Sequence, residues 1–302
     1  MYNISVIRTL LFVPSHIEKM LHKSLCFDAD CIAFCLEDAV PNDKKDEARV
    51  ILKEFLTSKK SFNKKVFVRI NSIETGYTLL DLMGVACEQI SGFVYPMARN
   101  ADDVKNFDAQ LSLVESQIGL PKDYFSIIVL IETPGAVLNA FDIANASKRV
   151  IALMFGCEDY MAEMDSRYSE NEMSLFVPRS MMAIAAKAAG IQAIDTPYVN
   201  IDDISGLERF AGIGRDLGFT GMLVLSPKQI EAIKRSYTPT DEEIAFAKAV
   251  VEGERYAHQI GRGIIIVEDK FISPPTVKQA KRLLKRYDDI IDFESKKVYK
   301  NE

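Results

Sequence analysis

Two acidic residues, Glu132 and Asp159, each stand where a run of aliphatic residues gives way to a turn, and that position makes them the first candidates for chemistry in this chain. The stretch Ser126-Ile127-Ile128-Val129-Leu130-Ile131 runs into Glu132-Thr133-Pro134-Gly135. Its unbroken, largely β-branched apolar character predicts a strand buried on both faces of a parallel sheet. Thr133 offers a capping hydroxyl and Pro134 fits the first helical position, so a helix is expected immediately after Glu132. The stretch Val150-Ile151-Ala152-Leu153-Met154-Phe155 has the same shape and runs into Gly156-Cys157-Glu158-Asp159. In α/β folds, the C-terminal sheet edge is where reactive groups gather, so neighbouring strands would aim the two carboxylates at one point. Two carboxylates suit Mg²⁺ better than zinc, because Mg²⁺ takes one or two from the protein and leaves positions for water and substrate. The alternative is that both cap helices or pair with arginine.

A cation is expected at the same edge. Arg69 ends the apolar run Lys65-Val66-Phe67-Val68, and its guanidinium fork could hold a carboxylate through two parallel hydrogen bonds. It could equally be the internal partner of Glu37 or Asp38, which follow the run Cys31 to Leu36. Glu37 and Asp38 could orient metal waters or Arg69, one could act as a base, or both could form the acidic start of a helix carrying Lys44 and Lys45. Asp195, after Ile191-Gln192-Ala193-Ile194, would orient other groups at the mouth; Arg8, before the first apolar run, is a weaker candidate.

These positions require a regular frame. Apolar runs at Leu10–Pro14, Cys31–Leu36, Lys65–Ile70, Gly92–Pro96, Ser126–Ile131, Val150–Phe155, Ile191–Asp195 and Gly221–Ser226 give eight strand candidates, each followed by a connection long enough for a helix. With no antiparallel hairpin signals, this alternation predicts parallel βαβ units closing into a (β/α)₈ barrel. An open doubly wound sheet is disfavoured because no glycine-rich phosphate loop follows the first strand. The barrel is expected over residues 1–237, and a C-terminal arm or lid, suited to oligomer contacts, over 238–302. In that arm Thr240 and Glu243 form a capping box for a helix over 241–259. Gly261-Arg262-Gly263 breaks it, Ile264–Val267 reads as a strand, and a last helix spans 276–287.

Composition narrows the partners. A net charge of −6 over 302 residues, with scattered lysine pairs read as solvated faces, excludes a nucleic-acid binder. No apolar run approaches the roughly 20 residues of a membrane span, and the N-terminus lacks the pattern of a signal peptide, so a cytoplasmic protein is expected. Five cysteines without paired spacing fit free thiols better than disulfides or zinc, and three histidines make a histidine-rich metal site improbable.

Six ordered motifs carry a family resemblance. Arg8-Thr9-Leu10-Leu11-Phe12-Val13-Pro14, Leu36-Glu37-Asp38-Ala39-Val40, Val68-Arg69-Ile70-Asn71, Ile131-Glu132-Thr133-Pro134-Gly135-Ala136, Phe155-Gly156-Cys157-Glu158-Asp159 and Ser226-Pro227-Lys228-Gln229 resemble, in order and spacing, the citrate lyase beta subunit and malyl-CoA lyase (HpcH/HpaI aldolase) family. The resemblance implies a (β/α)₈ barrel, a homotrimer or hexamer, and cleavage or formation of the bond between an acyl thioester and a small 2-oxo acid. It implies Mg²⁺ on Glu132 and Asp159, substrate contacts from Arg8, Arg69, Glu132 and Gly156, and catalytic roles for Arg69, Glu37 and Asp38. Arg69 would hold the thioester-side carbonyl or the oxo-acid carboxylate, and the base would be Glu37 or a metal-bound water. The chain departs from the family pattern at Met97, where lysine is common; at Met222 and Leu225-Ser226, where the pattern has lysine and Ile-His; and at Ser273, where many members carry an aspartate. Serine cannot replace that carboxylate as a proton-transfer group at neutral pH, so malate synthase or thioesterase activity of the aspartate-dependent kind is not expected. The first reading is a Mg²⁺-dependent carbon–carbon lyase cleaving a 3-hydroxy-acyl thioester. The alternatives are a divergent subunit of a larger complex that binds ligand with little lyase activity, and a Mg²⁺-enolate reaction on a small oxo acid without a thioester.

Overall fold

The computed structural model describes residues 6–169, 172–259, 265–268 and 270–298. The chain forms two compact units, Met1–Tyr237 and Thr238–Glu302. In the first, eight strands follow one another: β1 Thr9–Pro14, β2 Cys31–Cys35, β3 Lys65–Arg69, β4 Gly92–Tyr95, β5 Ser126–Ile131, β6 Val150–Phe155, β7 Gln192–Asp195 and β8 Gly221–Val224. Every neighbouring pair is parallel, and β8 pairs back onto β1 through Thr9 and Met222, so the sheet is a closed (β/α)₈ barrel. An open doubly wound sheet is thereby excluded. Closure is tight at β8, where a Cβ on Gly221 would lie 1.9 Å from the carbonyl oxygen of Ile7, so only glycine fits there.

Side chains alternate between two apolar compartments, as strands buried on both faces require. Leu10, Ala33, Phe67, Val94, Leu130, Met154, Ile194 and Leu223 fill the lumen. The intervening residues, among them Leu11, Phe34, Val68, Phe93, Val129, Phe155 and Val224, meet the helix layer. That layer includes Lys45–Thr57, Ala101–Gln117, Met173–Ala189 and Ile204–Leu217. The helix Met173–Ala189 carries Pro178 in its interior, a residue that cannot donate the usual backbone hydrogen bond there.

Glu37 and Asp38 do not open a helix: a 3₁₀ turn at Asn42–Lys44 intervenes, and the helix starts at Lys45. The acidic pair is therefore free of the helix and belongs to the strand end. Lys45 is not a solvated residue either. It is buried, and its Nζ donates to the carbonyls of Leu36 and Glu37, at 2.8 Å each.

In the second unit, Thr240 and Glu243 cap the helix Asp241–Gln259 reciprocally, at 2.7 and 3.2 Å. The expected strand is present as β9 Ile265–Val267; it pairs antiparallel with β10 Lys270–Ile272, a three-residue strand whose alternation is too short to register in the sequence. The expected glycine break at 261–263 lies outside the described residues. The last helix runs over Pro274–Val298, longer than expected at both ends. It extends into a charged stretch that carries a Lys296–Asp292 pair one turn apart. Ala247, Val250, Ile272, Val277 and Ala280 form this unit's own small core. No described helix is long and apolar enough to cross a membrane.

Candidate active site

The lumen register, carried two residues beyond the buried layer, defines the barrel mouth. It yields Phe12, Cys35, Arg69, Pro96, Glu132, Gly156, Thr196 and Leu225, one from each strand or its end. Glu132 and Arg69 are the charged members of this ring.

Glu132 is 3% exposed, and its Oε1 accepts the Met97 amide at 2.8 Å. Met97 sits in the left-handed region, with φ 54°, and this turns its N–H back toward the lumen. On the other side Gly156 makes room, since a Cβ there would lie 2.8 Å from Glu132 Oε2. Burial pushes the Glu132 carboxyl well above the ordinary glutamate range; Glu37 and Asp159 add to the rise, and the Met97 amide and Arg69 oppose it.

Arg69 is held from three directions. Its Nε and Nη2 donate to Cys35 Sγ at 3.2 and 3.1 Å, its guanidinium lies 4.7 Å from the centre of the Phe12 ring, and Nη1 approaches Glu37 Oε2 at 2.9 Å and Asp38 Oδ2 at 3.1 Å. Burial works against its charge, yet Cys35, Glu37 and Asp38 outweigh it and raise its pKa. Glu37 stays almost as buried. Its Oε2 makes no aligned hydrogen bond despite the 2.9 Å ion contact, and desolvation drives its carboxyl up to about 7, with Arg69 opposing and Asp38 and Asp159 reinforcing. The loop bearing Glu37 is fixed by Lys45 and by Asn71, whose amide donates to the Leu36 carbonyl at 3.0 Å.

Asp159 lies in the first turn of the helix Cys157–Glu163 and is exposed. It is near enough to Glu37 and Glu132 to raise both carboxyls. Next to it, the Cys157 amide donates to Thr196 Oγ1 at 3.1 Å, joining the ends of β6 and β7. The mouth thus gathers Glu37, Asp38, Arg69, Glu132, Gly156 and Asp159.

Two expected members are absent from it. Arg8 precedes β1 and so lies at the opposite rim, where its Nε and Nη2 grip Asp30 at 2.8 and 2.9 Å in a buried pair. Asp195 ends β7 but in the outward register, one residue after lumen-facing Ile194. Its carboxylate binds Arg179 Nε and Nη2 at 3.1 and 2.5 Å, within the helix layer. The residues missed from sequence are Cys35, Phe12, Thr196, Lys45 and the Met97 amide. Counting by twos along each strand would have found the first three, whereas the amide depends on a backbone conformation that no motif announces.

The charge balance of the mouth favours a cation. Four carboxylates, Glu37, Asp38, Glu132 and Asp159, crowd one another near a guanidinium that two of them already engage. Among the described residues no three His, Cys, Asp or Glu side chains are grouped so as to cage an ion by themselves. The donors present, oxygen atoms in small number with a glycine-lined gap beside Glu132, fit Mg²⁺, which completes its shell with water and substrate oxygens. Glu132 and Asp159 are the residues that would hold it.

Comparison with known proteins gives a consistent match. Residues 8–227 match the model of the HpcH/HpaI aldolase/citrate lyase family. The citrate lyase subunit beta of Haemophilus influenzae is 33% identical over 279 residues, covering 92% of this chain and 96% of that protein. The mitochondrial citramalyl-CoA lyase of Rattus norvegicus is 28% identical over 287 residues, covering 92% and 85%. Among solved structures, the protein CitE from Mycobacterium tuberculosis in complex with magnesium, acetoacetate and coenzyme A is 25% identical, with a TM-score of 0.76 and coverage of 94% and 98%.

Proposed function

The chain belongs to the HpcH/HpaI aldolase/citrate lyase family of carbon–carbon lyases, and from that premise we propose that it cleaves a 3-hydroxy-acyl thioester to an acyl thioester and a 2-oxo acid, with Mg²⁺ at Glu132 and Asp159. The observation that carries the reading is the meeting of buried Glu132 and Arg69 with half-buried Glu37 at the barrel mouth. Bound there, Mg²⁺ would supply Lewis-acid polarisation of the substrate's 2-oxygen.

The remaining work falls to side chains. Glu37, with a carboxyl that titrates near neutrality, takes the proton of the carbinol hydroxyl. The bond between the carbinol carbon and the carbon next to the thioester then breaks. The carbinol carbon becomes the carbonyl of the 2-oxo acid, and the bonding pair passes into the thioester enolate. Arg69 offsets the charge that develops on the enolate oxygen, and its clamp on Cys35 and Phe12 means that little reorganisation accompanies the reaction. The proton held by Glu37 returns to the enolate carbon, giving the acyl thioester and restoring the carboxylate. Gly156 leaves the space through which a ligand reaches Glu132.

The thioester carrier is coenzyme A or an acyl-carrier protein. The same reading carries with it a cytoplasmic homotrimer or hexamer. A direct assay of thioester cleavage with and without Mg²⁺ tests the function: cleavage is expected only with the metal, and Glu132→Ala abolishes it.

A second reading has its own observations. Ser226 caps the turn Pro227–Gln229, Met222 is buried in the helix-facing core, and Ser273 bonds to the Thr276 hydroxyl at 3.1 Å, so none of these positions offers a cation or a proton-transfer group. They favour a ligand-binding subunit of a larger complex with little lyase activity, for which Glu132→Ala would leave partner binding intact.

A further inference from the structure

Met97 holds a backbone conformation that its own side chain disfavours. Its φ of 54° lies in the left-handed region, which glycine enters freely and asparagine or aspartate enters with help from local hydrogen bonds. Methionine has neither advantage, so the surrounding chain must impose the conformation. It does so from both sides. Pro96 is buried and fixes its own φ, and Ala98 is fully buried. The Arg99 amide then donates to Asp103 Oδ2 at 2.8 Å, and Asn100 caps the helix Ala101–Gln117 by accepting the Asp102 and Asp103 amides. Asn139 Nδ2 donates to the Arg99 carbonyl at 3.1 Å, which ties this loop to the segment that follows Glu132.

The conformation delivers one hydrogen bond, from the Met97 N–H to Glu132 Oε1 at 2.8 Å. The last torsion of a glutamate side chain is broad, so packing around the methylenes of Glu132 does not by itself fix the plane of the carboxylate. A donor held rigidly on Oε1 does fix it, and leaves Oε2 beside the gap at Gly156, where a Cβ would lie 2.8 Å away. We propose that Met97 is a positioning residue of the metal site and acts through its backbone: the left-handed turn aims its N–H at Glu132 and holds the carboxylate ready for Mg²⁺, while the methionine side chain is dispensable. The proposal rests on the reading of Glu132 as a metal ligand and adds the group that orients it. It also separates the lysine missing at this position from the fate of Glu132, because methionine removes a cation and keeps the amide.

Calorimetric titration of Mg²⁺ into the full chain tests this. Met97→Gly deletes the side chain and keeps the turn, so its affinity should stay within about threefold of wild type. Met97→Val keeps an apolar side chain but is β-branched, for which the left-handed region is a genuine outlier, and its affinity should fall about tenfold or more. Glycine thus restores what valine loses, an order that a role for side-chain bulk would reverse. Installing the α-hydroxy acid analogue of methionine at position 97 turns the Pro96–Met97 amide into an ester and removes only the N–H. It should weaken Mg²⁺ binding by about tenfold or more, with an unchanged circular dichroism spectrum. An ester whose affinity stays within about twofold of wild type would overturn the proposal and leave the metal site standing. So would a loss of about tenfold in Met97→Gly, which would give the role to the side chain. Failure of the wild type to bind Mg²⁺ would overturn the site reading and the proposal together.

Discussion

Glu37 and Glu132 are carboxyls that the fold forces to keep protons. Burial and mutual repulsion raise both, Glu37 to about 7 from an ordinary 4.5. An unfolded chain releases the Glu37 proton near 4.5, whereas the folded chain keeps it up to about 7, so the folded state binds the extra proton in this window. Stability of the metal-free protein should therefore be highest below about 4.5 as far as Glu37 is concerned, and should fall as pH rises toward 7, by on the order of 3 kcal/mol. Urea titrations from pH 4.5 to 7.5 on wild type and Glu37→Gln measure it, and the variant should lose the part of the slope that Glu37 contributes while Glu132 keeps its own. Under the proposed function, Mg²⁺ held by Glu132 would compete with its proton, so metal affinity should rise with pH. Gly156 gives a second prediction at this scale. In Gly156→Ala the new Cβ would stand 2.8 Å from Glu132 Oε2 and force the carboxylate aside. Metal-dependent oxo-acid binding should weaken about tenfold or more, with an unchanged circular dichroism spectrum.

The strand ends show what a sequence can and cannot convey about a site. Glu132 and Asp195 both terminate apolar runs, and both are legible as polar residues at the catalytic rim. The structure separates them by the phase of the pleat: Glu132 continues the lumen register of Leu130, and Asp195 falls one residue out of phase with lumen-facing Ile194. In a barrel strand both faces are apolar, so the usual alternation that reveals phase is missing. Arg8 illustrates a different limit, because a charge beside a strand does not disclose which rim it occupies until chain direction is combined with closure. Asp195 accordingly supports the framework, held by Arg179 against the carbonyl of Phe210, to which Arg179 Nη2 donates at 3.0 Å. Asp195→Asn should cost about 3 kcal/mol or more of stability, because it leaves the Arg179 charge buried without its partner. Chemical denaturation measures that loss. In folded samples below the denaturation range, oxo-acid affinity should change less than twofold, which a residue inside the mouth could not show.

At the scale of the molecule, the eightfold alternation of strand and helix was readable because each strand is a dense apolar run bounded by turn chemistry, and the barrel follows once all eight are counted. The arm was less readable. The strand read at Ile264–Val267 is found as β9, but its partner β10 is too short to declare itself, and the last helix runs on into a charged segment beyond the expected end. A trimer or hexamer remains part of the functional proposal, and light scattering on the purified chain should give a mass of three or six times 33.9 kDa. The account as a whole turns on whether Glu132 organises a Mg²⁺ and a 2-oxo acid at the mouth of this barrel. The measurement that tests it most directly is calorimetric titration of pyruvate into wild-type and Glu132→Ala protein, each with and without Mg²⁺. Metal-dependent binding in the wild type that vanishes in the variant is the predicted result; binding that needs no metal, or that survives loss of Glu132, would contradict it.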